Sequence, residues 1–149
     1  MEDTIKVIKE TTEDLLEKID SKGSVEVAEA DGMFNVHIDT EENALLIGKH
    51  GNTLSSLELI ISLIVAKKVG EFKRVIVEVG GYREAREDYL RDLALRLHDE
   101  VIETGEEKTV RGLKPWERRV IHMHLSEMGD VNTESEGEER DRILVITKK

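Results

Sequence analysis

The segment Ile47-Gly48-Lys49-His50-Gly51 sets two glycines around two hydrogen-bond donors, Lys49 and His50. Glycine lets a backbone turn tightly and lets another backbone approach with no Cβ in the way. The apolar pattern that follows predicts a helix, whose free N–H groups and positive dipole end then face whatever rests on the loop. One fixed cation and one pH-switchable donor at such a helix end suit a sugar-phosphate strand. A plain helix-turn-helix connection with glycine caps fits the same five residues.

A second group lies at Pro115-Trp116-Glu117-Arg118-Arg119-Val120-Ile121-His122. At about 100° per helical residue, with Arg118 at 0°, His122 falls near 40°, Ser126 near 80° and Arg119 near 100°. Val120, Ile121, Leu125 and Met128 fall between roughly 200° and 340° and form a core face. Arginine brings a rigid fork that matches phosphate oxygens, and histidine donates a hydrogen bond. Arg111 and Lys114, just upstream, add two more cations. On spacing alone, an ordinary solvated face is the other reading.

The chain has 149 residues and a net charge of −11, which at first sight opposes a polyanionic ligand. The distribution of charge reverses that impression. Residues 1–43 carry 4 basic and 13 acidic side chains, a net −9, and residues 81–107 carry 4 and 9, a net −5. Residues 44–80 carry 5 and 3, a net +2, and residues 108–124 carry 5 and 1, a net +4. The last 25 residues carry 4 and 7, a net −3. Two basic segments therefore sit in an acidic frame, and screening beyond about 8 Å makes local sign outweigh the total.

Other chemistries find little support. Cysteine is absent, which removes disulfides, thiolate metal sites and thiol catalysis and agrees with a reducing compartment. His122 and His124 point about 160° apart on a helix, and no histidine pair has i,i+4 spacing, so neither a metal nor a cofactor is expected. His37 and His98 stand alone. No nucleophile elbow, Walker loop or dinucleotide fingerprint appears, so the chain reads as a non-enzyme. The start, Met1-Glu2-Asp3, is unlike a signal peptide, and Leu57 to Ala66 falls short of the roughly 20 apolar residues of a span. The expectation is a cytoplasmic protein with no membrane insertion. Aromatics make up only 3% of residues, so recognition should lean on backbone contacts more than on base stacking. Trp116 is expected in the core.

Periodicity supplies the elements that must hold the two groups. Thr4 to Ile19 predicts a helix, and Ser24 to Glu29 and Met33 to Asp39 alternate as strands about an Asp31-Gly32 hairpin turn. Asn43 is placed to cap a short helix, Ala44 to Ile47, ending at Gly48. A longer helix starts at Asn52 or Thr53 and runs to about Lys68, with Leu54, Leu57, Ile61, Ile64 and Val65 on one face. Leu59, Ile60 and Leu63 widen that face, so the helix is buried on more than one side or meets a partner. Arg74 to Val79 is a strand closed by Gly80-Gly81. Tyr82 to Glu103 reads as one amphipathic helix with a stripe of Tyr82, Ala85, Tyr89, Leu90, Leu93, Ala94, Leu97 and Val101, stopped at Gly105. Lys108 to Arg111 is a short strand, Pro115 opens a helix to about Met128, and Val131 to Glu136 and Ile143 to Thr147 are strands around Gly137.

The α-β-β-α-α-β order around the GxxG loop resembles a type II KH domain, in which this loop clamps about four nucleotides of backbone. Ile38, Ile47 and Leu54 are candidates for its apolar groove, or simply core. Arg118-x-x-x-His122 resembles the signature of the R-three-H domain, which implies binding of single-stranded nucleic acid. Together the halves resemble the Jag family, the SpoIIIJ-associated RNA-binding proteins of bacteria. Gly81-Tyr82-Arg83, Thr104-Gly105, Glu117-Arg118-Arg119-Val120-Ile121-His122, and Thr133-Glu134-Ser135-Glu136-Gly137-Glu138 with Arg142 extend the match over essentially the whole chain. Many Jag proteins carry a further N-terminal domain, which is expected to be lacking here. The family loop usually has arginine where this chain has His50, which implies a weaker or pH-sensitive phosphate contact. The resemblance also implies a link to cell elongation and division and a small KH-only protein as heterodimer partner, with a homodimer as the alternative.

The expected fold is α+β, a type II KH domain over 1–80 and an R-three-H domain over 81–149. The expected function is single-stranded RNA binding through Gly48, Lys49, His50 and Gly51 at one site and Arg118, His122, Arg119, Arg111 and Lys114 at the other. One rival is a protein-interaction or dimerisation adaptor with little RNA contact, favoured by the net charge and the apolar Leu57–Ala66 helix. Another is a single-stranded DNA binder, which differs only in the 2′-OH.

Overall fold

A computed structural model describes residues 2–149. The chain divides into two compact units, one ending at Arg83 and the other starting at Glu84. The first contains α1 (Glu2–Lys18), β1 (Ser24–Ala30), β2 (Met33–Asp39), α2 (Asn43–Ile47), a single 3-10 turn (Lys49–Gly51), α3 (Asn52–Val69) and β3 (Arg74–Val79). Alternation of apolar and polar residues makes each strand half-buried, and Asp31 and Gly32, at φ 52° and 77°, turn β1 back onto β2. β1 and β2 are antiparallel from Ser24↔Asp39 to Ala30↔Met33. β3 joins β2 in parallel, Met33 opposite Arg74, because the chain crosses over through α2 and α3. The two helices of the crossover are thereby fixed on the sheet, with the GxxG loop between them.

The core of this unit gathers Ile8 and Leu16 of α1, Val36 and Ile38 of β2, Leu46 of α2, Leu54, Leu57, Ile61 and Val65 of α3, and Val75, Val77 and Val79 of β3. Leu54 and Ile38 are core residues, and Ile47 packs half-buried against them. Along α3, Leu59 is 59% exposed and Leu63 58%, with Ile60 and, just beyond the helix, Phe72 also exposed. Of the two ways to accommodate an apolar width on α3, burial on several sides does not occur among the described residues of this unit. Asn43 does not cap α2. Glu42 holds that position without a side-chain cap, and Asn43 falls inside the helix, with its Oδ1 buried and lacking a hydrogen-bond partner.

The second unit is built on α4 (Tyr82–Thr104), whose first two residues belong to the first unit. It continues with β4 (Lys108–Val110), α5 (Pro115–Met128), β5 (Val131–Glu136), a 3-10 turn (Glu139–Asp141) and β6 (Ile143–Lys148). The sheet runs β4-β6-β5, antiparallel throughout, with Thr109 opposite Val145 and Thr133 opposite Ile146. Leu90, Ala94 and Val101 of α4 pack on Ile121 and Leu125 of α5, Val131 of β5, and Leu144 and Ile146 of β6. Trp116 lies half-buried against this core. The expected α4 stripe departs at two positions: Ala85 and Tyr89 are exposed, while Arg86 turns inward with its guanidinium 4.9 Å from the Tyr89 ring centroid. Other element boundaries fall within two residues of those expected from periodicity.

His98 ties α4 to the turn between α5 and β5. Its Nδ1 lies 2.9 Å from Asp99 Oδ1 and its Nε2 2.7 Å from Asp130 Oδ1. Only the protonated imidazolium donates at both nitrogens, so the hydrogen bonds to Asp99 first and Asp130 second hold its pKa above the ordinary 6.5. The stabilisation is complete below the ordinary value and is lost as pH rises through the raised native one. Urea midpoints of the protein should fall as pH climbs above 6.5, and the fall should shrink in His98→Gln. Equal pH slopes for the two proteins would remove His98 as the cause.

Candidate nucleic-acid interface

The first site is the junction of α2 and α3. Gly48 ends α2, donating its N–H to Ala44 O at 3.0 Å, with φ 70°. A Cβ there would run into the Thr53 hydroxyl, so both conformation and space require glycine. Lys49, His50 and Gly51 form the 3-10 turn, His50 being held at φ 53° and Gly51 at φ 74°. Histidine tolerates this left-handed conformation better than most residues. Lys49 and His50 are exposed at the tip, whereas Gly51 is buried. No side chain caps α3, so the positive end of an 18-residue helix faces the loop directly. The loop thus presents two exposed side-chain donors and this helix end within one turn of chain.

The second site is the start of α5. Lys114 occupies its N-cap and Pro115 its first turn, where a missing N–H costs nothing. Arg118 is half-buried, and its guanidinium donates to Leu113 O at 2.7 Å. One branch of the fork is thus anchored to backbone, and the arginine is not part of a buried ion pair. Arg111, Arg119 and His122 are exposed, and Lys114 is half-buried. His122 Nδ1 is hydrogen-bonded to Thr133 Oγ1, which fixes the ring against β5. An open cleft of about 240 Å³ lies beside it, lined by His122, Ser126, Asn132, Thr133 and Lys149 among others. The structure therefore gathers Arg111, Lys114, Arg118, Arg119 and His122 along one loop and helix, with Ile121 and Leu125 buried on the other side of α5.

What holds this second site in place is Glu117, only 2% exposed. Its Oε1 accepts the Lys114 N–H at 2.8 Å and its Oε2 accepts Arg86 Nε at 2.6 Å. One carboxylate thus closes the first turn of α5 and binds it to α4. The same helical wheel places Glu117 at about 260°, on the apolar side, so an inward acid is visible in the spacing. Its partner, 31 positions earlier, is not. The cleft residues Asn132 and Thr133 also escape sequence reasoning, since β5 meets α5 only through the fold.

Comparison with known proteins agrees with both halves. Residues 6–79 match the family described as "KhpA/KhpB, KH domain", and residues 88–148 match the R-three-H domain family. The chain is 36% identical to RNA-binding protein KhpB of Bacillus subtilis (strain 168) over 149 residues, covering 99% of this chain and 72% of that protein. It is 36% identical to RNA-binding protein KhpB of Clostridium symbiosum over 126 residues, 85% of this chain and 57% of the relative. For the KhpB of Streptococcus pneumoniae serotype 2 the figures are 32% over 113 residues, 76% and 34%. The chain thus spans between about a third and 72% of the length of these relatives. Fold and site together define a two-domain protein with a KH unit followed by an R-three-H unit. Identity over nearly the whole chain is more specific: it belongs to the KhpB family, the group the Jag resemblance indicates.

Removing one partner of a buried ion pair leaves the other charge uncompensated, at a cost of about 3–5 kcal/mol. Glu117→Gln should lose stability on that scale in urea unfolding. Glu87→Gln, whose partner Arg91 lies 3.8 Å away on the helix surface, should lose less than about 1 kcal/mol. Comparable losses from the two variants would contradict the structural role given to Glu117.

Proposed function

We propose that this protein binds single-stranded RNA, with the GxxG loop and the Arg118–His122 face as two separate backbone grips. The observation that carries this reading is the exposure of cations and donors at both places in a molecule of net charge −11. Lys49 and His50 stand at the tip of a glycine-built turn on an uncapped helix. Arg119 and His122 stand on the solvent face of α5, with Arg118 braced beside them. The relatives, each named RNA-binding protein, support RNA over DNA as the ligand. Linking two weak grips on one chain raises the effective affinity for an RNA long enough to reach both. A role in regulating gene expression, tied to cell elongation and division, rests on the family resemblance alone. No reaction is assigned to the protein.

A second reading is favoured by one observation. Leu59, Ile60 and Leu63 form an exposed apolar stripe on α3, the kind of surface on which a protein partner docks. Pairing through this stripe, with a second copy or with a small KH-only protein, is compatible with RNA binding because the GxxG loop lies at the start of the same helix.

Binding of a labelled single-stranded RNA, measured across a salt series, should weaken linearly in log K against log salt. Lys49→Asp combined with His50→Asp should remove the loop's share, and Arg118→Ala combined with His122→Ala the other. Each double variant should also give a shallower salt slope. An affinity and slope unchanged by both pairs would overturn the reading and leave pairing through α3 as the function to pursue.

A further inference from the structure

The GxxG loop is propped from outside its own helix pair. The ring of Tyr82 lies directly on Gly51: a Cβ built at that glycine would come within 2.7 Å of Tyr82 Cε1 and 2.9 Å of its hydroxyl oxygen. Gly51 is buried as a consequence, although Lys49 and His50 beside it are exposed. The second glycine of the motif is therefore required twice, once by its φ of 74° and once by the aromatic ring against its α-carbon.

Tyr82 does not act alone, because the short turn that carries it also touches the other end of α2. Gly80 presses its backbone against the Asn43 side chain, where a Cβ would meet the amide nitrogen at 2.7 Å. Arg83 N–H closes the turn on Glu78 Oε1 at 3.2 Å. Residues 80–82 thus grip the α2–loop segment at both ends, Asn43 at its beginning and Gly51 at its close. α2 has only five residues, too few to be stable alone, so its position depends on such outside contacts.

Neither matched stretch, 6–79 or 88–148, contains Tyr82. We propose that Tyr82 is a positioning residue for the GxxG loop, and that the KH binding site of this chain extends past the last strand of its domain into the first turn of α4. The ring keeps Gly51 seated, so that Lys49, His50 and the N-terminal end of α3 keep a fixed relation to the incoming backbone. Pre-ordering the loop lowers the entropy lost on binding. This inference rests on the RNA-binding reading for its effect on affinity, while the seating of the loop is independent of it.

The test uses the full chain with Tyr82→Phe, Tyr82→Ala and Tyr82→Leu, the last preserving apolar packing on the core if alanine unfolds the unit. Two quantities are read: affinity for a fluorescein-labelled single-stranded RNA of mixed sequence, and amide hydrogen exchange. Tyr82→Phe, which keeps the ring on Gly51, should lose less affinity than Tyr82→Ala or Tyr82→Leu, which should lose about as much as Lys49→Asp with His50→Asp. Adding the tyrosine substitution to that loop variant should cause no further loss, the mark of residues acting through one another. Exchange should quicken at residues 48–53 in the alanine or leucine variant and stay unchanged in β2, reporting local opening. Additive losses, or unchanged exchange at the loop, would overturn the proposal. If the loop variant itself binds RNA normally, the RNA reading of the loop fails, and the exchange result alone decides the role of Tyr82.

Discussion

A polyanion is repelled by a molecule of net charge −11 unless it is met within about a Debye length by cations that stand clear of the acids. That constraint gives weight to the few cations at the two candidate sites. Residues 44–80 and 108–124 hold the two positive segments, and each places part of its positive charge beside a helix N-terminus. Lys49 and His50 precede α3, and Lys114, Arg118 and Arg119 sit at or within the first turns of α5. At the first site the uncapped end of α3 adds backbone N–H groups to these side chains. On the proposed reading, the acidic remainder confines attraction to those two places and makes binding sensitive to salt.

Holding cations at fixed points requires contacts from distant parts of the chain. At the second site a buried carboxylate supplies them. Glu117 joins the Lys114 N–H to Arg86, and Leu113 O takes one Arg118 N–H, so the start of α5 is braced from α4 and from its own preceding loop. At the first site the brace is steric, with Thr53 beneath Gly48 and Tyr82 against Gly51. Lys49, His50, Arg119 and His122 are exposed, whereas the braces Glu117 and Tyr82 are buried and half-buried.

Much of this is legible in the sequence because it is written in local periodicity. Alternation over Ser24–Ala30 and Met33–Asp39 gives strands, Asp31-Gly32 gives the hairpin, and the 3.6-residue pattern of α5 separates Ile121 and Leu125 from Arg119 and His122. The GxxG loop is legible through its place between two helices. What escapes is non-local. His98 meets Asp130 across 32 positions and Arg86 meets Glu117 across 31, and no spacing rule reaches so far. Tyr82 reads as part of an amphipathic stripe, yet its ring serves a glycine 31 residues earlier because β3 returns the chain to the loop. Local capping rules favour Asn43 as a cap, whereas packing against Gly80 draws its side chain away. The wide apolar face of α3 has two solutions, and only the folded unit shows Leu59 and Leu63 in solvent.

Titrating the isotope-labelled full chain with a short single-stranded RNA and following backbone amide shifts tests the local-grip idea most directly. Shifts are expected to concentrate at residues 48–54 and 111–122, with the acidic faces of α1 and α4 undisturbed. Shifts confined to the Leu59–Leu63 stripe, or spread without reference to either basic segment, would contradict it.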